Sequence, residues 1–290
     1  MLTKEDLYTI EELAKEKRRV LELGMGPLGD NLFKVIRTLG IQLIQIPFLN
    51  EGEESDNPLA ALYLSSKEDD GYSICYIGLN TTDFWDKQIF ALAHELYHHF
   101  ESSDPFVLCR GLDHSSDIRE LKANRFAAEF LLPTEKLVHE VKEKNKGNQD
   151  LKGWTTNALL RLIAEIHCDY RLPFKAIVRR LQEVGAISKT VLEDLLKIDA
   201  RDHEGIYYAL GSNINSKAFQ QLNTKTNLFG VEGENLGKLI ENYEEGKVSL
   251  SELSDDLNLF GKSLEDYKLM EEADLDDDDD LALLFKEEED

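Results

Sequence analysis

The sequence predicts an α+β fold in which a small sheet packs on a helix pair, followed by a helical region and an acidic C-terminal region. Short apolar segments with strand-like alternation lie between residues 41 and 79. Apolar residues recur at helical spacing from residue 89 onward, and acidic runs lie within residues 274–290. Strands and helices in separate blocks are typical of one sheet beside a layer of helices.

Two helices and a turn are predicted before the sheet. Residues 4–23 are charged but carry an apolar stripe at helical spacing, formed by Leu7, Ile10, Leu13 and Val20. The glycines of residues 24–29 indicate a turn, because the segment lacks the Gly-Lys-Ser/Thr ending of a phosphate-binding loop. Residues 31–39 form the second helix, which Gly40 ends.

The sheet is predicted from three short segments. Residues 41–46 form one strand, and residues 60–64 and 72–77 form a strand pair around Asp69-Asp70-Gly71. The polar residues 51–57 are interpreted as a loop. Two longer helices follow, joined by a loop at 102–115. The second covers about residues 116–133, with Ser116 as its cap and Pro133 at its end.

Residues 134–200 are predicted to be mostly helical, with helices at 154–167 and 172–181, whereas the fold of residues 201–290 is not predicted beyond helix-like segments at 235–243 and 248–260. We divide the chain into a domain at 1–140, a helical extension at 141–200 and a C-terminal region at 201–290. The acidic runs predict a disordered tail, because like charges repel one another. Its apolar island, residues 281–285, is either solvated or docks on a partner or on the N-terminal domain.

Composition favours a reducing aqueous compartment, and we expect a cytoplasmic protein. The chain has 33 Lys and Arg against 57 Asp and Glu, a net charge of -24. A field of this sign repels phosphate and argues against nucleic-acid binding. The three scattered cysteines argue against a disulfide framework. We find no apolar run long enough to cross a bilayer and no signal-peptide pattern.

The most specific pattern is His94-Glu95-Leu96-Tyr97-His98, within an apolar helical stretch. Two histidines four residues apart lie on one face of a helix, so both imidazoles can bind one zinc ion. Glu95 then lies beside the metal as a general base. His99 lies about 100° further round the helix and is not expected to join this metal. The alternative is a core helix with satisfied histidines.

A catalytic zinc ion usually has three protein ligands, and Glu120 is the predicted third. Glu120, Asn124 and Ala127 share one face of the second helix. Asn124 is expected to hydrogen-bond the distal nitrogen of a zinc-bound histidine. Glu129 is the rival acid, with less suitable spacing and more apolar surroundings. Cys109 is another candidate, but two histidines and one glutamate already complete a catalytic site.

Other residues are candidates for substrate contacts. His114 and Arg125 are interpreted either as transition-state hydrogen-bond donors or as exposed polar residues. The strand that contains Tyr72, Ile74 and Tyr76 is predicted to bind an extended peptide by β-addition, in which backbone pairing holds the peptide.

These motifs resemble the ImmA/IrrE metallopeptidase family. The similarity rests on residues 90–100, which contain His-Glu-x-x-His, and on residues 120–133, which begin Glu-x-x-Ala-Asn. Residues 76–80 are similar to the strand, ending in Asn, that precedes the active-site helix of the family. Residues 32–41 are similar to its opening helix and strand, and residues 174–187 resemble it more weakly.

The resemblance implies a zinc endopeptidase of bacterial or prophage origin that cleaves or inactivates a helix-turn-helix repressor in a stress or mobile-element response. It implies that His94, His98 and Glu120 bind Zn²⁺ and that Glu95 is the catalytic base. Tyr97 departs from the family, since many members have Gly there, and this side chain either narrows the cleft or packs. The expected partner is a protein or peptide, and the negative charge of the chain favours a basic one.

Two other functions remain open on the sequence alone. The chain is alternatively a non-catalytic binding module, or a toxin–antitoxin component, that sequesters its partner. A third interpretation is a transcription regulator that uses residues 155–190, against which the net charge argues. The expected chemistry is metal-assisted peptide hydrolysis, in which Glu95 takes a proton from water and passes it to the leaving amine.

Overall fold

The computed structural model of the chain describes residues 2–29, 31–48, 59–67, 73–101, 106–110, 117–232, 235–259, 262–267 and 269. The chain divides into two compact units, residues 1–232 and residues 233–290. Helices on both sides of residue 200, where a boundary was predicted, belong to the first unit.

The first unit contains a mixed sheet. Its described strands are β1 (Ile41–Ile46), β2 (Leu59–Lys67), β3 (Ser73–Asn80), β4 (Phe106–Arg110) and β5 (Gly230–Glu232). They lie in the order β4-β2-β3-β1-β5. β1 and β3 are parallel, and every other neighbouring pair is antiparallel. The three predicted strands are confirmed. β4 lies in the segment interpreted as a loop, and β5 was not predicted, because strands this short have no clear period of their own.

The two faces of the sheet differ in burial. In β3, Cys75 and Ile77 are buried, whereas the alternating residues Ile74 and Tyr76 are only partly buried. β1 shows the same alternation, as expected for strands whose side chains point to opposite faces in turn. The hydroxyl of Tyr63, which is also buried, lies 3.3 Å from a ring nitrogen of His99. The buried face is therefore the one covered by the helix that carries His99.

Nine helices are described in the first unit: α1 (Lys4–Val20), α2 (Asn31–Thr38), α3 (Trp85–Glu101), α4 (Ile118–Leu131), α5 (Thr134–Lys144), α6 (Thr156–Tyr170), α7 (Phe174–Glu183), α8 (Lys189–Leu195) and α9 (Ile206–Leu222). α3 packs on β2 and β3 and also against α4. α1 packs on α4, where the buried Arg18 donates a hydrogen bond of 2.5 Å to the carbonyl of Phe130. The fold is α+β, as the sequence predicts.

The second unit contains α10 (Asn235–Glu244), α11 (Leu250–Leu259) and a short 3₁₀ helix (Glu265–Tyr267). Ser249 begins α11 with reciprocal hydrogen bonds to Glu252, and Leu253 and Leu257 are fully buried. The acidic runs of residues 274–290, with their apolar island, lie outside the described residues, as do the polar loop 51–57 and the turn at 69–71. Across the described helices, none combines the length and apolar character that crossing a membrane requires.

Candidate metal centre

Helix α3 is a core helix that carries three of the predicted site residues as buried polar side chains. His94 is 3% exposed, His98 is 2% exposed and Glu95 is fully buried. Their neighbours Ala91, Leu92 and Leu96 are buried as well. Because polar groups at this depth are costly without partners, the partners of these side chains indicate what the site does.

Helix α4 supplies partners for both histidines and packs against α3. Its small side chains Ala123 and Ala127 are both fully buried. Asp117 caps the N-terminus of α4 with its side chain. The predicted cap, Ser116, lies outside the described residues. This start brings Glu120 into the first turn of α4, facing α3.

Three predicted ligands meet between the two helices. The Nε2 atoms of His94 and His98 are 3.2 Å apart. The carboxylate of Glu120 lies 3.2 Å from Nε2 of His94 and 3.3 Å from Nε2 of His98. Ligand atoms around a tetrahedral zinc ion, with bonds of about 2.0–2.1 Å, are about 3.3 Å apart. Within the described ranges, these three residues form the one compact group of His, Cys, Asp or Glu that suits a metal ion.

Asn124 fixes the orientation of the first imidazole. Its Oδ1 lies 2.9 Å from Nδ1 of His94. With an amide oxygen as the acceptor, Nδ1 carries a hydrogen in both protonation states, so the neutral ring presents the lone pair of Nε2 toward Glu120 and His98, and only the protonated ring donates from Nε2 to Glu120. A metal-binding histidine needs this tautomer, and a hydrogen bond on the distal nitrogen usually sets it.

The protonation of the three side chains is set by their mutual contacts. Burial alone would lower the pKa of His94, but the hydrogen bond to Glu120 and the charges of Glu95 and Glu120 raise it. Burial and the neighbouring His94 lower the pKa of His98. Burial would raise the pKa of Glu120, but hydrogen bonds from both histidines hold it well below its usual range. The centre therefore keeps an anionic carboxylate facing two imidazole nitrogens, which suits a cation.

Glu95 lies close to these ligands. Its charge contributes to the raised pKa of His94, so the two side chains interact electrostatically inside the core. Glu95 cannot share the face of His94 and His98, because consecutive helix positions are about 100° apart. A carboxylate beside a metal but outside its ligand set is suited to accept a proton from water.

The two residues that flank His98 are not members of the group formed by His94, His98 and Glu120. Tyr97 is 8% exposed, packs edge-on against His98 and lies with its ring tilted against Phe126 of α4. The bulky departure from the family thus packs in the core. His99 lies outside the ligand group, as its helical position predicted, and its Nδ1 is 3.3 Å from the hydroxyl of Tyr63 in the sheet. No sequence pattern pointed to Tyr63, because its partner is distant in the chain.

Arg125 and Glu129 belong to a separate cluster on α4. The guanidinium of Arg125 contacts Glu129 at 2.9 Å and Glu183 at 3.2 Å. Glu129 also accepts a 2.7 Å hydrogen bond from the buried Arg180. Arg125 is therefore held by structural ion pairs and does not face the histidines, so we do not give it the transition-state role considered from the sequence. The sequence did not identify Arg180, which lies 51 residues from Glu129.

The strand predicted to bind substrate is not at an edge of the sheet. β3 pairs with β1 on one side and with β2 on the other, so a peptide cannot add to it. The partly buried Ile74 and Tyr76 also lie on the sheet face opposite the helices. Tyr72 and His114 lie outside the described residues, as does the side chain of Cys109.

The comparisons with known proteins point to the same segment. Residues 39–182 match the family model described as Peptidase M78, IrrE N-terminal-like domain. This match contains α3 and α4 with all four residues of the predicted centre. Neither the curated proteins nor the solved structures gave a significant match. The match supports assignment of residues 39–182, the segment that carries both helices, to the ImmA/IrrE family of peptidases.

Proposed function

We propose that this chain is a zinc-dependent endopeptidase whose metal is held by His94, His98 and Glu120. The observation that carries the proposal is the spacing of the three ligand atoms, 3.2–3.3 Å apart in the core. Two imidazoles and one carboxylate are a ligand set that zinc prefers in catalytic sites. Cys75 and Cys168, the described cysteines, are not members of this group.

Each side chain has a distinct role in the proposed reaction. A zinc ion held there would supply Lewis acidity, which lowers the pKa of bound water and polarises a carbonyl. The role of Glu95 would be to accept a proton from the attacking water and to donate it to the amine that leaves when the peptide bond breaks. Asn124 holds His94 in the tautomer that binds metal. The apolar surroundings of α3 exclude bulk water and strengthen these interactions.

We infer that the substrate segment binds in an extended conformation along β4. In the described sheet β4 and β5 are the edge strands, and only an edge strand has backbone groups available for pairing. β4 pairs with β2 at Tyr63, whose side chain contacts His99 near the end of α3 that carries the ligands. β5 instead pairs with β1.

We further propose that the substrate is a basic helix-turn-helix repressor that this chain cleaves or inactivates in a bacterial or prophage response. The net charge of -24 would speed encounter with a basic protein. Family membership supports a peptide or protein substrate, and the choice of a repressor rests on the resemblance together with this charge.

Glu95→Gln tests the proposed chemistry. The variant should bind zinc as the wild type does but cleave about 10²–10⁴-fold more slowly, because the amide cannot accept a proton. Zinc content is measured by elemental analysis. Cleavage is followed by mass spectrometry on a purified helix-turn-helix protein encoded beside this chain, and on a peptide library as a neutral probe. Glu101→Gln, at an exposed position of the same helix, is the control.

Two outcomes would contradict the proposal. Undiminished cleavage by Glu95→Gln would refute its role as the base. A wild-type chain that binds zinc and the repressor but cuts neither probe would instead support the binding-module interpretation.

A further inference from the structure

A buried carboxylate near the start of α3 is unexplained by the metal centre. Asp86, in the first turn of α3, is fully buried. Both of its oxygens contact Nη2 of Arg201, at 2.5 and 2.7 Å. The guanidinium also lies over the ring of Phe84, 4.2 Å from its centroid. The negative charge of Asp86 thus has a cationic partner 115 positions later in the chain.

A second buried contact joins Asp86 to the helices beyond the metal centre. Nε2 of His167, on α6, lies 3.2 Å from Asp86. The other ring nitrogen of His167 lies 2.9 Å from the hydroxyl of Tyr207, on α9. Tyr207 is 1% exposed and His167 is fully buried. The first turn of α3 is therefore fixed from two sides by residues of the C-terminal half of the unit.

The backbone that follows α9 closes over the same end of α3. The carbonyl of Thr224 accepts a 3.0 Å hydrogen bond from the N–H of Trp85, the first residue of α3. Thr226 exchanges hydrogen bonds with the side chain of Gln88. The chain then continues into β5, which pairs with β1. We name residues 199–232 the C-terminal clasp, because they hold the start of α3 through Arg201 and these later contacts.

We propose that Arg201 is a positioning residue of the metal centre: it holds the C-terminal clasp on the first turn of α3 and thereby fixes the helix that carries His94 and His98. The family match ends at residue 182, so this segment lies outside the region that defines the family. The inference rests on the proposed zinc site and adds to it a requirement for residues beyond 200.

The physical link is the rigidity of α3. Asp86 and His94 are separated by about 12 Å along the axis, at about 1.5 Å per residue. A buried helix moves as a rod, so a small shift of its first turn displaces both histidines relative to Glu120 on α4. Metal–ligand distances tolerate only about 0.2 Å of change. Removing the guanidinium would leave a buried carboxylate with only an imidazole opposite, which favours displacement of the first turn toward water.

The test compares zinc affinity across four full-length proteins. Arg201→Gln removes the cation, and Asp86→Asn with Arg201→Gln removes both charges. Lys197→Gln is the matched control, since Lys197 is an exposed residue that pairs only with Asp194 among the contacts described and lies four positions before Arg201. Zn²⁺ dissociation constants are measured by competition with a chromophoric chelator. Circular dichroism verifies folding at the same temperature, and the Co²⁺ absorption spectrum reports ligand geometry.

We expect Arg201→Gln to bind Zn²⁺ about tenfold more weakly, within the usual range of coupling between distant sites, with an altered Co²⁺ spectrum. The double variant should recover most of the affinity, because no buried charge remains uncompensated. Lys197→Gln should match the wild type. Folded Arg201→Gln with wild-type affinity would overturn the proposal, as would a double variant no better than the single one.

Two provisions keep the test decisive. If Arg201→Gln does not fold, Arg201→Lys is used, which keeps the charge but loses the planar two-point contact. Wild-type affinity in that variant would overturn the proposal, and weaker binding with an altered Co²⁺ spectrum would support it. Because the readout is zinc binding, a wild-type chain that binds Zn²⁺ but cleaves no peptide would refute the peptidase function and leave this test intact.

Discussion

The two acidic residues of α4 that competed for the role of metal ligand lie in contrasting environments. Glu129 is 1% exposed and contacts Arg125, Arg180 and the hydroxyl of Thr134. The side chain of Glu120 is 15% exposed, and its described partners are two imidazoles. Arginine is always protonated, whereas a histidine loses its charge near neutral pH. The protein itself therefore supplies the cations at Glu129.

The different partners of the two carboxylates distinguish a structural ion-pair cluster, around Glu129, from the proposed metal site around Glu120. The carboxylate of Glu129 pairs with two permanently charged arginines, Arg125 and Arg180. The pair with Arg180 joins α4 to α7. At Glu120 the carboxylate faces Nε2 of His94 and Nε2 of His98, and all of these atoms present lone pairs when the imidazoles are neutral. Such a site has more to gain from a metal ion than from any rearrangement of its own side chains. Substitutions at the two residues should accordingly affect different measurements.

The largest expected effect is loss of zinc from Glu120→Gln. Removing a ligand should weaken Zn²⁺ binding by more than about a hundredfold, since loss of a mere hydrogen-bond partner of a ligand already costs about 10–100-fold. The melting temperature of the zinc-free protein should change little, because the described contacts of the Glu120 carboxylate are with two imidazoles and not with a permanent positive charge. Chelator competition measures the affinity. Zinc binding equal to that of the wild type would remove Glu120 from the site.

Glu129→Gln should show the opposite behaviour. It leaves Arg125 and Arg180 without their shared carboxylate, and breaking a buried ion pair typically lowers the free energy of unfolding by about 3–5 kcal/mol. Zinc affinity of the folded protein should stay within about threefold of the wild type. Urea unfolding of the zinc-free protein measures the loss. Glu143→Gln, at an exposed position, should change stability by less than about 0.5 kcal/mol. A similar loss of unfolding free energy in Glu129→Gln and Glu143→Gln would show that the buried ion pairs of Glu129 do not stabilise the fold.

The comparison also indicates what the sequence could and could not predict. Spacing, together with the more apolar surroundings of Glu129, favoured Glu120 over Glu129, because helical periodicity sets which residues share a face with Asn124. The same periodicity predicted that His94 and His98 share a face and that His99 lies off it. Local patterns could not reveal Arg180 or Arg201, because each pairs with a residue far away in the chain. Likewise, the central position of β3 depends on pairing order, which no single strand encodes.

The smallest expected effect concerns how stability depends on pH. Burial would raise the pKa of Glu129, but the charges of Arg180 and Arg125 lower it below its ordinary value. A carboxyl whose pKa is depressed in the folded state stabilises the fold above its unfolded pKa of about 4.3, and this contribution is lost as the pH falls through the folded pKa. The zinc-free wild type should therefore lose stability more steeply than Glu129→Gln as the pH falls below about 5. Urea unfolding between pH 7 and pH 3 gives the free energy of unfolding of both proteins. The difference between the two free energies should narrow steadily over the acidic part of that range. A constant difference would mean that Glu129 titrates alike in the folded and unfolded chains, and the Arg180 and Arg125 contacts would then contribute no preference for its charged form.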